Sequence, residues 1–348
     1  MAEESNQPQR IVFILNPVSA GGRGMRVWEQ LEPIVEQTYS GCWRLSKTEY
    51  SGHAVVLAKE LLGQGYTTIV AIGGDGTINQ VVNGYMGAPE VERRKVAMGI
   101  IPVGTGGDFV RTVGINRDPV EALNTIIERN VKVVDVGKVI HDPLSHENAT
   151  ADSQYTKVHS IDSAQVSKTT TYFINICSIG LSAHVAKSVD SSPLTKRLAS
   201  SLVYWVQSVS ATLYAYTPKR VRFITDSTTI PATIVNLYFM AVCNAQYFGG
   251  GMRIGGDADP ADGVLDLVIL KDVGLWDAIG KVIGGLKDGT VVERLRDGKG
   301  ERRKIERIIA EGDGLEGEEC CVEVDGEFIG YLPVEIDIVK QAVNLIVP

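Results

Sequence analysis

VAIGGDGTINQVVNG, Val70 to Gly84, is the stretch on which the reading of this chain turns. The apolar run that leads into it, YTTIVAI (66–72), reads as a buried parallel strand. Beyond the glycines, Ile78, Val81 and Val82 are spaced for one face of a helix. A strand, a tight glycine turn and a helix N-terminus together make a place where backbone N–H groups face an anion. An aspartate inside such a nest is out of place if the nest only holds phosphate. It fits a group that handles a metal or a reacting hydroxyl.

Working outward, the first third alternates strand and helix. IVFILNP (11–17), TIVAI (68–72) and VAMGIIPVG (96–104) read as strands. MRVWEQLEPIVEQ (25–37), HAVVLAKELLGQG (53–65) and DPVEALNTIIER (118–129) read as helices, with another from about Thr77. This order predicts an α/β domain over 10–130: a parallel sheet between two helical layers, with ligand outside the carboxyl ends of the strands. From Val131 the pattern changes to short strands: 131–140, 171–180, 220–226, 232–245, 265–273, 320–330 and 333–340. Helices are expected there only at 195–216 and 274–286. Residues 131–348 are therefore expected to form a second, mainly β, sandwich-like domain, with a long polar, mobile insertion over 141–171.

Bulk properties exclude several classes. With 34 basic and 42 acidic residues the net charge of -8 argues against a nucleic-acid partner. MAEESNQPQR lacks the apolar centre of a secretory signal, and no apolar run is long enough for a membrane span. Cys42, Cys177, Cys243, Cys320 and Cys321 have no zinc or CxxC spacing, which predicts reduced thiols in a cytoplasmic protein. The histidines show no metal-ligand spacing, and Ser178 and Ser182 lack the G-x-S-x-G elbow of a hydrolase.

The polar segments cluster at the predicted strand ends. Asn16-Pro17-Val18-Ser19-Ala20-Gly21-Gly22-Arg23-Gly24 follows the first strand, and Arg23 is suited to meeting a phosphate. It is neither a Walker A loop nor the dinucleotide fingerprint. Gly73-Gly74-Asp75-Gly76-Thr77 is the stronger signal, and Gly104-Thr105-Gly106-Gly107-Asp108-Phe109 repeats it after the next strand. Two successive strand ends thus carry a glycine nest, a hydroxyl and an aspartate. Helix caps with glycine turns would explain each one; a nucleoside triphosphate with Mg²⁺ explains the pair. Far downstream, Asp325-Gly326-Glu327 fits a type I′ hairpin turn. Set beside a phosphate site, Asp325 also becomes a candidate base for an attacking hydroxyl. Asp259 and Asp262, before the strand of 265–270, mark a turn or a second cation site.

In this order the segments resemble the diacylglycerol kinase catalytic-domain superfamily, from about Arg10 to the C-terminus. NPVSAGGRG (16–24), GGDGTINQVVNG (73–84), IPVGTGGDFVRTVG (101–114), DGVLDLVIL (262–270) and VDGE (324–327) carry the resemblance. It implies an ATP-dependent lipid kinase with its nucleotide site between the two domains. Asn16, Ser19, Arg23, Gly73, Gly74, Gly76, Thr77, Gly104 and Thr105 would line the ATP. Asp75 and Asp108 would organise Mg²⁺ and phosphate. Asp325 would be the general base, with Asp75 and Glu327 completing the catalytic set. Asp262, with Asp259 and the Val264 backbone, would hold a structural Mg²⁺.

Two departures bear on the details. Gly107 stands where the family usually has asparagine. Around IGLSAHVAK (179–187) the sphingosine kinases carry acidic residues for an amine, whereas this chain has His184, Val185 and Ala186. A neutral histidine attracts an ammonium poorly, which favours diacylglycerol over a sphingoid base. The sphingoid-base kinase is the alternative, followed by a kinase for NAD and a silent nucleotide- or lipid-binding regulator. The expected partners are a lipid alcohol at a membrane surface, met by transient peripheral contact, and a second copy in a homodimer. The apolar half of 195–216 and Lys196–Arg197 are the expected lipid-facing features.

Overall fold

A computed structural model describes residues 9–104, 106–143, 168–190, 217–226, 232–313 and 319–348. Thr105, the helix expected over 195–216, the pair Lys196–Arg197 and most of the insertion expected over 141–171 lie outside the described residues. The chain divides into two compact units. One comprises Met1–Gly104, Val113–Val133 and Val343–Pro348; the other comprises Thr105–Thr112 and Val134–Ala342.

The first unit begins with β1 (Ile11–Leu15), α1 (Ser19–Tyr39), β2 (Trp43–Lys47), α2 (His53–Leu62), β3 (Thr68–Gly73), α3 (Asp75–Met86), α4 (Glu90–Arg93) and β4 (Ala97–Pro102). After α5 (Asp108–Val113), most of which counts with the second unit, comes α6 (Pro119–Glu128). The strands run parallel in the order β2-β1-β3-β4. Asn344 and Leu345 add a further parallel pairing beside β4. β1, β3 and β4 are buried along their whole length, which is why each reads as an unbroken apolar run. β2 was not anticipated, because WRLSK has one aliphatic residue; pairing with β1 and the contact between Trp43 and buried Trp28 hold it. The register places Leu15 beside Ile72 and Ile72 beside Ile101, so β1, β3 and β4 end together. α6 starts where Asp118 accepts hydrogen bonds from the Val120 and Glu121 N–H groups, with Pro119 at its first position.

The second unit contains β5 (Val131–His141, from Val134), β6 (Thr169–Phe173), β7 (Ile176–Gly180), α7 (Leu181–Asp190), β8 (Lys219–Thr225) and β9 (Thr233–Cys243). A short ribbon, β10 (Tyr247–Phe248) and β11 (Met252–Arg253), precedes β12 (Leu265–Lys271). A helical stretch over 275–288 with a π turn at Ala278–Val282 leads to β13 (Gly300–Ile305) and β14 (Arg307–Gly312). β15 (Cys321–Val324), β16 (Glu327–Tyr331) and β17 (Val334–Ile346) close the chain. Pairing is antiparallel, in the order β16-β15-β7-β9-β8-β14-β17, with β12 joining β9 to β13. Each face of β12 feeds a different core. Leu265, Leu267 and Ile269 pack with Val242, Ile308 and Ile336, while Val268 and Leu270 pack with Ala278, Val282, Val291 and Leu295.

Three sequence expectations are revised. The run expected as one strand over 171–180 breaks at Ile174 and Asn175 into β6 and β7. β13 and β14 were missed. GERRKI carries a single aliphatic residue, and it is held as a strand by β12 and by ion pairs of Glu301 with Lys271 and Arg303. The ribbon of β10 and β11 was also missed, being two residues a side around a glycine run.

Candidate functional site

In the first unit the three coincident strand ends build one polar rim. Asn16, just past β1, donates its backbone N–H to the Ile72 carbonyl (3.0 Å). Its side-chain Nδ2 donates to Thr77 Oγ1 (3.1 Å), and its Oδ1 accepts from the Val18 N–H (3.2 Å). The Val103 N–H donates to the Gly73 carbonyl (2.7 Å), tying the β4 exit to the β3 exit. Gly73 is where this arrangement is tightest: a Cβ there would lie 2.5 Å from the Thr77 Cβ and Oγ1. Asp75 then begins α3, half-buried, at the end of the helix where N–H groups lack intrahelical partners. A Cβ on Gly104 would come 3.7 Å from the Gly74 Cα, so the two strand-end turns are neighbours.

The 16–24 segment belongs to the same rim. Ala20, Gly21 and Gly22 all take left-handed backbone (φ 49°, 69° and 88°), so the regular helix expected from 25 is preceded by a turn within α1. The Ser19 hydroxyl donates to the Asn16 carbonyl (2.8 Å), which makes it a brace for the turn. Arg23 is exposed beside it. Asn16, Gly73, Gly74, Asp75, Gly76, Thr77 and Gly104 are thus brought together by strand register. The narrow cradle at Gly73 and the open α3 N-terminus suit the phosphates of a nucleotide.

In the second unit Asp325 lies in a two-residue hairpin loop with Gly326, both at positive φ (49° and 90°), between the paired residues Val324 and Glu327. The type I′ turn expected from Asp-Gly is therefore present. The side chain does more than turn the chain. Oδ1 accepts from the N–H groups of Asn175 (3.1 Å) and Ile176 (2.9 Å), and Oδ2 accepts from the Ile174 N–H (3.1 Å). Three backbone donors at the β6–β7 break fix the orientation of the carboxylate. Glu327 opens β16, half-buried.

The same corner extends to Asp108. Asn175 Nδ2 donates to the Tyr247 carbonyl (2.8 Å), and Gly250, three residues on, donates its N–H to Asp108 Oδ2 (2.8 Å). Asp108 is buried, and Arg111 from its helix stacks over the Tyr247 ring at 5.1 Å. One path of contacts thus joins Asp325, Asn175, the 247–250 turn and Asp108. Asn175 and Gly249–Gly251 were not singled out in the sequence. The three consecutive glycines at 249–251, all at positive φ here, were the available signal.

Gly107, the departure from the family pattern, has φ +65°. Left-handed backbone is the conformation that glycine and asparagine share most readily, which accounts for the exchange.

The downstream aspartates have local partners. Asp259 Oδ1 accepts from the Ala261 N–H (3.1 Å) and Asp262 Oδ1 from the Val264 N–H (3.2 Å). Asp262 Oδ2 holds the Lys304 ammonium at 2.5 Å, which raises the lysine pKa. A divalent ion there would have to displace that ammonium, so these residues do not fit a metal site. Among the described residues no group of three or more His, Cys, Asp or Glu is placed to hold a metal.

α7 brings basic and acidic groups together. Burial first, then Lys187 and Lys219, push the His184 pKa below its ordinary value. Lys187 bonds to the Tyr331 hydroxyl and stands over the Tyr331 and Phe328 rings. Nearby, buried Glu323 accepts from the Ser178 (2.6 Å) and Ser182 (2.8 Å) hydroxyls. No helix among the described residues is long and apolar enough to cross a membrane.

Comparison with known proteins agrees with this geometry. Residues 10–139 match the diacylglycerol kinase catalytic domain, and residues 175–347 match the YegS C-terminal NAD kinase beta sandwich-like domain. A diacylglycerol kinase of Bacillus subtilis (strain 168) is 28% identical over 344 residues, 98% of this chain and 97% of that protein. A diacylglycerol kinase of Staphylococcus carnosus (strain TM300) is 26% identical over 347 residues, 98% of this chain and 95% of that protein. The crystal structure of a diacylglycerol kinase from Bacillus anthracis (strain Sterne) superposes with a TM-score of 0.66 at 19% identity, covering 98% of this chain and 97% of that one. That likeness establishes the fold: an N-terminal parallel sheet with helices and a β-rich C-terminal part.

Proposed function

Because the chain belongs to the diacylglycerol kinase catalytic-domain superfamily and is a lipid kinase, we propose that its acceptor is diacylglycerol and its product phosphatidic acid. Mg·ATP enters as substrate. Gly73 makes room for the Thr77 side chain, Gly74 and Gly104 let the two strand-end turns lie side by side, Gly76 continues the α3 N-terminus that would meet the phosphates, and Asn16, braced by Ser19 and Thr77, shapes the rim. In this reading Arg23 meets a phosphate, and Asp75 and Asp108 serve the metal and phosphate charge. Asp325 takes the proton from the lipid's primary hydroxyl. The oxygen attacks the γ-phosphorus in line, the bond to the β–γ bridging oxygen breaks, and ADP leaves. Glu327 stands at the edge of the same turn.

The observation that carries this reading is the Asp325 carboxylate, held by three backbone N–H groups from the β6–β7 break. A hairpin turn alone has no need of those donors; a base that must be aimed does. The acceptor choice is supported by the relatives that are diacylglycerol kinases. His184 on α7, its pKa lowered chiefly by burial, offers the ammonium of a sphingoid base no anionic partner. With a cytoplasmic site of action, the enzyme would visit the membrane transiently.

Transfer of labelled γ-phosphate from Mg·ATP into mixed micelles tests the proposal, with diacylglycerol and a sphingoid base offered separately. Phosphatidic acid is the expected product, and a phosphorylated sphingoid base as the main product would overturn the acceptor assignment. Asp325→Asn is expected to lower turnover about 10³-fold while Mg·ATP affinity stays near wild type. Near-normal turnover in that variant would remove Asp325 from the role of base.

A further inference from the structure

α5 lies against the 246–251 segment along one face. The Gly250 N–H donates to Asp108 Oδ2 (2.8 Å), and the Gln246 N–H donates to Thr112 Oγ1 (3.1 Å). Arg111 falls between these two bonds, one turn on from Asp108 and on the same side of the helix. Its guanidinium stands over the Tyr247 ring, 5.1 Å from the centroid. It also lies against Gly251, where an added Cβ would strike Nη1 and come within 3.2 Å of Cζ. Glycine at 251 leaves the space that the guanidinium fills.

Two features set this arginine apart. Elsewhere in the second unit Arg220, Arg222, Arg253, Arg294, Arg303 and Arg307 each hold a carboxylate. Arg111 is exposed and has no carboxylate partner among the described residues, in a chain of net charge -8. Nor is it needed to fasten α5, which hydrogen bonds already hold on either side of it. A guanidinium stacked on a ring loses little freedom on binding. Its open edge presents parallel N–H donors that match two oxygens of a phosphate.

The residue beneath it belongs to the corner that holds the proposed base. Asn175 donates Nδ2 to the Tyr247 carbonyl and its backbone N–H to Asp325 Oδ1. Tyr247 is therefore two hydrogen bonds from Asp325, and Arg111, Tyr247 and Asp325 all lie in the second unit.

We propose that Arg111 binds the phosphoryl group on the acceptor side, as it arrives on the lipid oxygen. This rests on the kinase reading above. In the transfer the lipid oxygen bonds to the γ-phosphorus, the bond to the β–γ bridging oxygen breaks, and the hydroxyl proton goes to Asp325. Arg111 donates two N–H hydrogen bonds to non-bridging oxygens and keeps its own protons. Tyr247 is its positioning residue.

The test compares Arg111→Ala, Arg111→Gln and Arg111→Lys. With short-chain diacylglycerol, kcat should fall about 10²–10³-fold in the first two variants. It should fall about tenfold in the lysine variant, which keeps the charge and loses the fork. Added guanidinium chloride, below denaturing concentration, should restore part of the activity of Arg111→Ala and none of that of Asp325→Asn. In calorimetry without ATP, dihexanoyl phosphatidic acid should bind Arg111→Ala at least about tenfold more weakly than wild type. Dihexanoylglycerol, which lacks the phosphate, should bind both equally.

Wild-type kcat in Arg111→Ala would overturn the assignment, as would an equal loss of affinity for the phosphate ester and the alcohol. So would a lower melting temperature shared by Arg111→Ala and Arg111→Gln with no rescue by guanidinium, which would make the side chain a fastener of α5. Should wild type transfer phosphate to no lipid alcohol, the kinase reading fails. The calorimetric difference between phosphate ester and alcohol still decides whether Arg111 binds the phosphate.

Discussion

The turns bearing Asp75 and Asp108 look alike in sequence and are built differently. Asp75 is placed by its own neighbourhood: β3 ends, Gly73 passes under Thr77, and α3 starts at the aspartate. Asp108 follows a glycine at φ +65° and is buried against Gly250, 142 positions away. Its placement also depends on a ribbon that reaches Asp325 through Asn175. The first turn is a local device that a short stretch of sequence encodes. The second is one station in a network assembled from distant segments, so damage to it should propagate.

Substitutions at three positions sharpen that contrast. Gly73→Val should have the largest effect, because its Cβ would sit 2.5 Å from Thr77. Overpacking of this kind, here against the buried Thr77 side chain, costs about 3 kcal/mol. The expected result is a lower urea midpoint together with Mg·ATP binding at least about tenfold weaker by calorimetry. Unchanged nucleotide affinity would mean that this turn does not hold phosphate.

Asn175→Ala should be intermediate, costing about 1–2 kcal/mol for the lost Tyr247 bond. Its diagnostic is kinetic: kcat should fall by more than the KM for ATP rises, since the residue's backbone holds Asp325 directly and reaches Asp108 only through the 247–250 turn. A change in the KM for ATP alone would break the proposed division between the two turns. Gly107→Asn should be the mildest, within about 0.5 kcal/mol, because asparagine tolerates left-handed backbone. Gly107→Val, a β-branched residue at φ +65°, should cost about 1–3 kcal/mol and lower turnover through Asp108. Equal melting temperatures for the two variants would show that backbone conformation at 107 is not what selects the residue.

This contrast also sorts what the sequence discloses. β1, β3 and β4 are legible because burial on both faces demands unbroken apolar runs. The Asp325–Gly326 hairpin is legible because a type I′ turn has few residue choices. β13 is not, since a strand of Arg, Lys and Glu looks solvated until β12 lies beside it. Likewise, nothing near Asn175 in the chain reveals that its backbone will face Asp325, or its amide Tyr247. Asp259 and Asp262 read as a turn or a cation site; the turn hydrogen bonds are there, and nothing near them in the chain announces Lys304 as the partner of Asp262.

The way Asp325 is held also sets when activity can appear as the protein folds. Its three donors lie 149 to 151 positions earlier in the chain. The hairpin that carries it can form locally, but the carboxylate is aimed only after a loop of that length has closed. Contacts of such long sequence separation form slowly, because chain entropy is lost before they reward it. If Asp325 is the base as proposed, turnover waits for that closure and reports the completion of folding in a way that spectroscopic signals from the locally formed helices cannot.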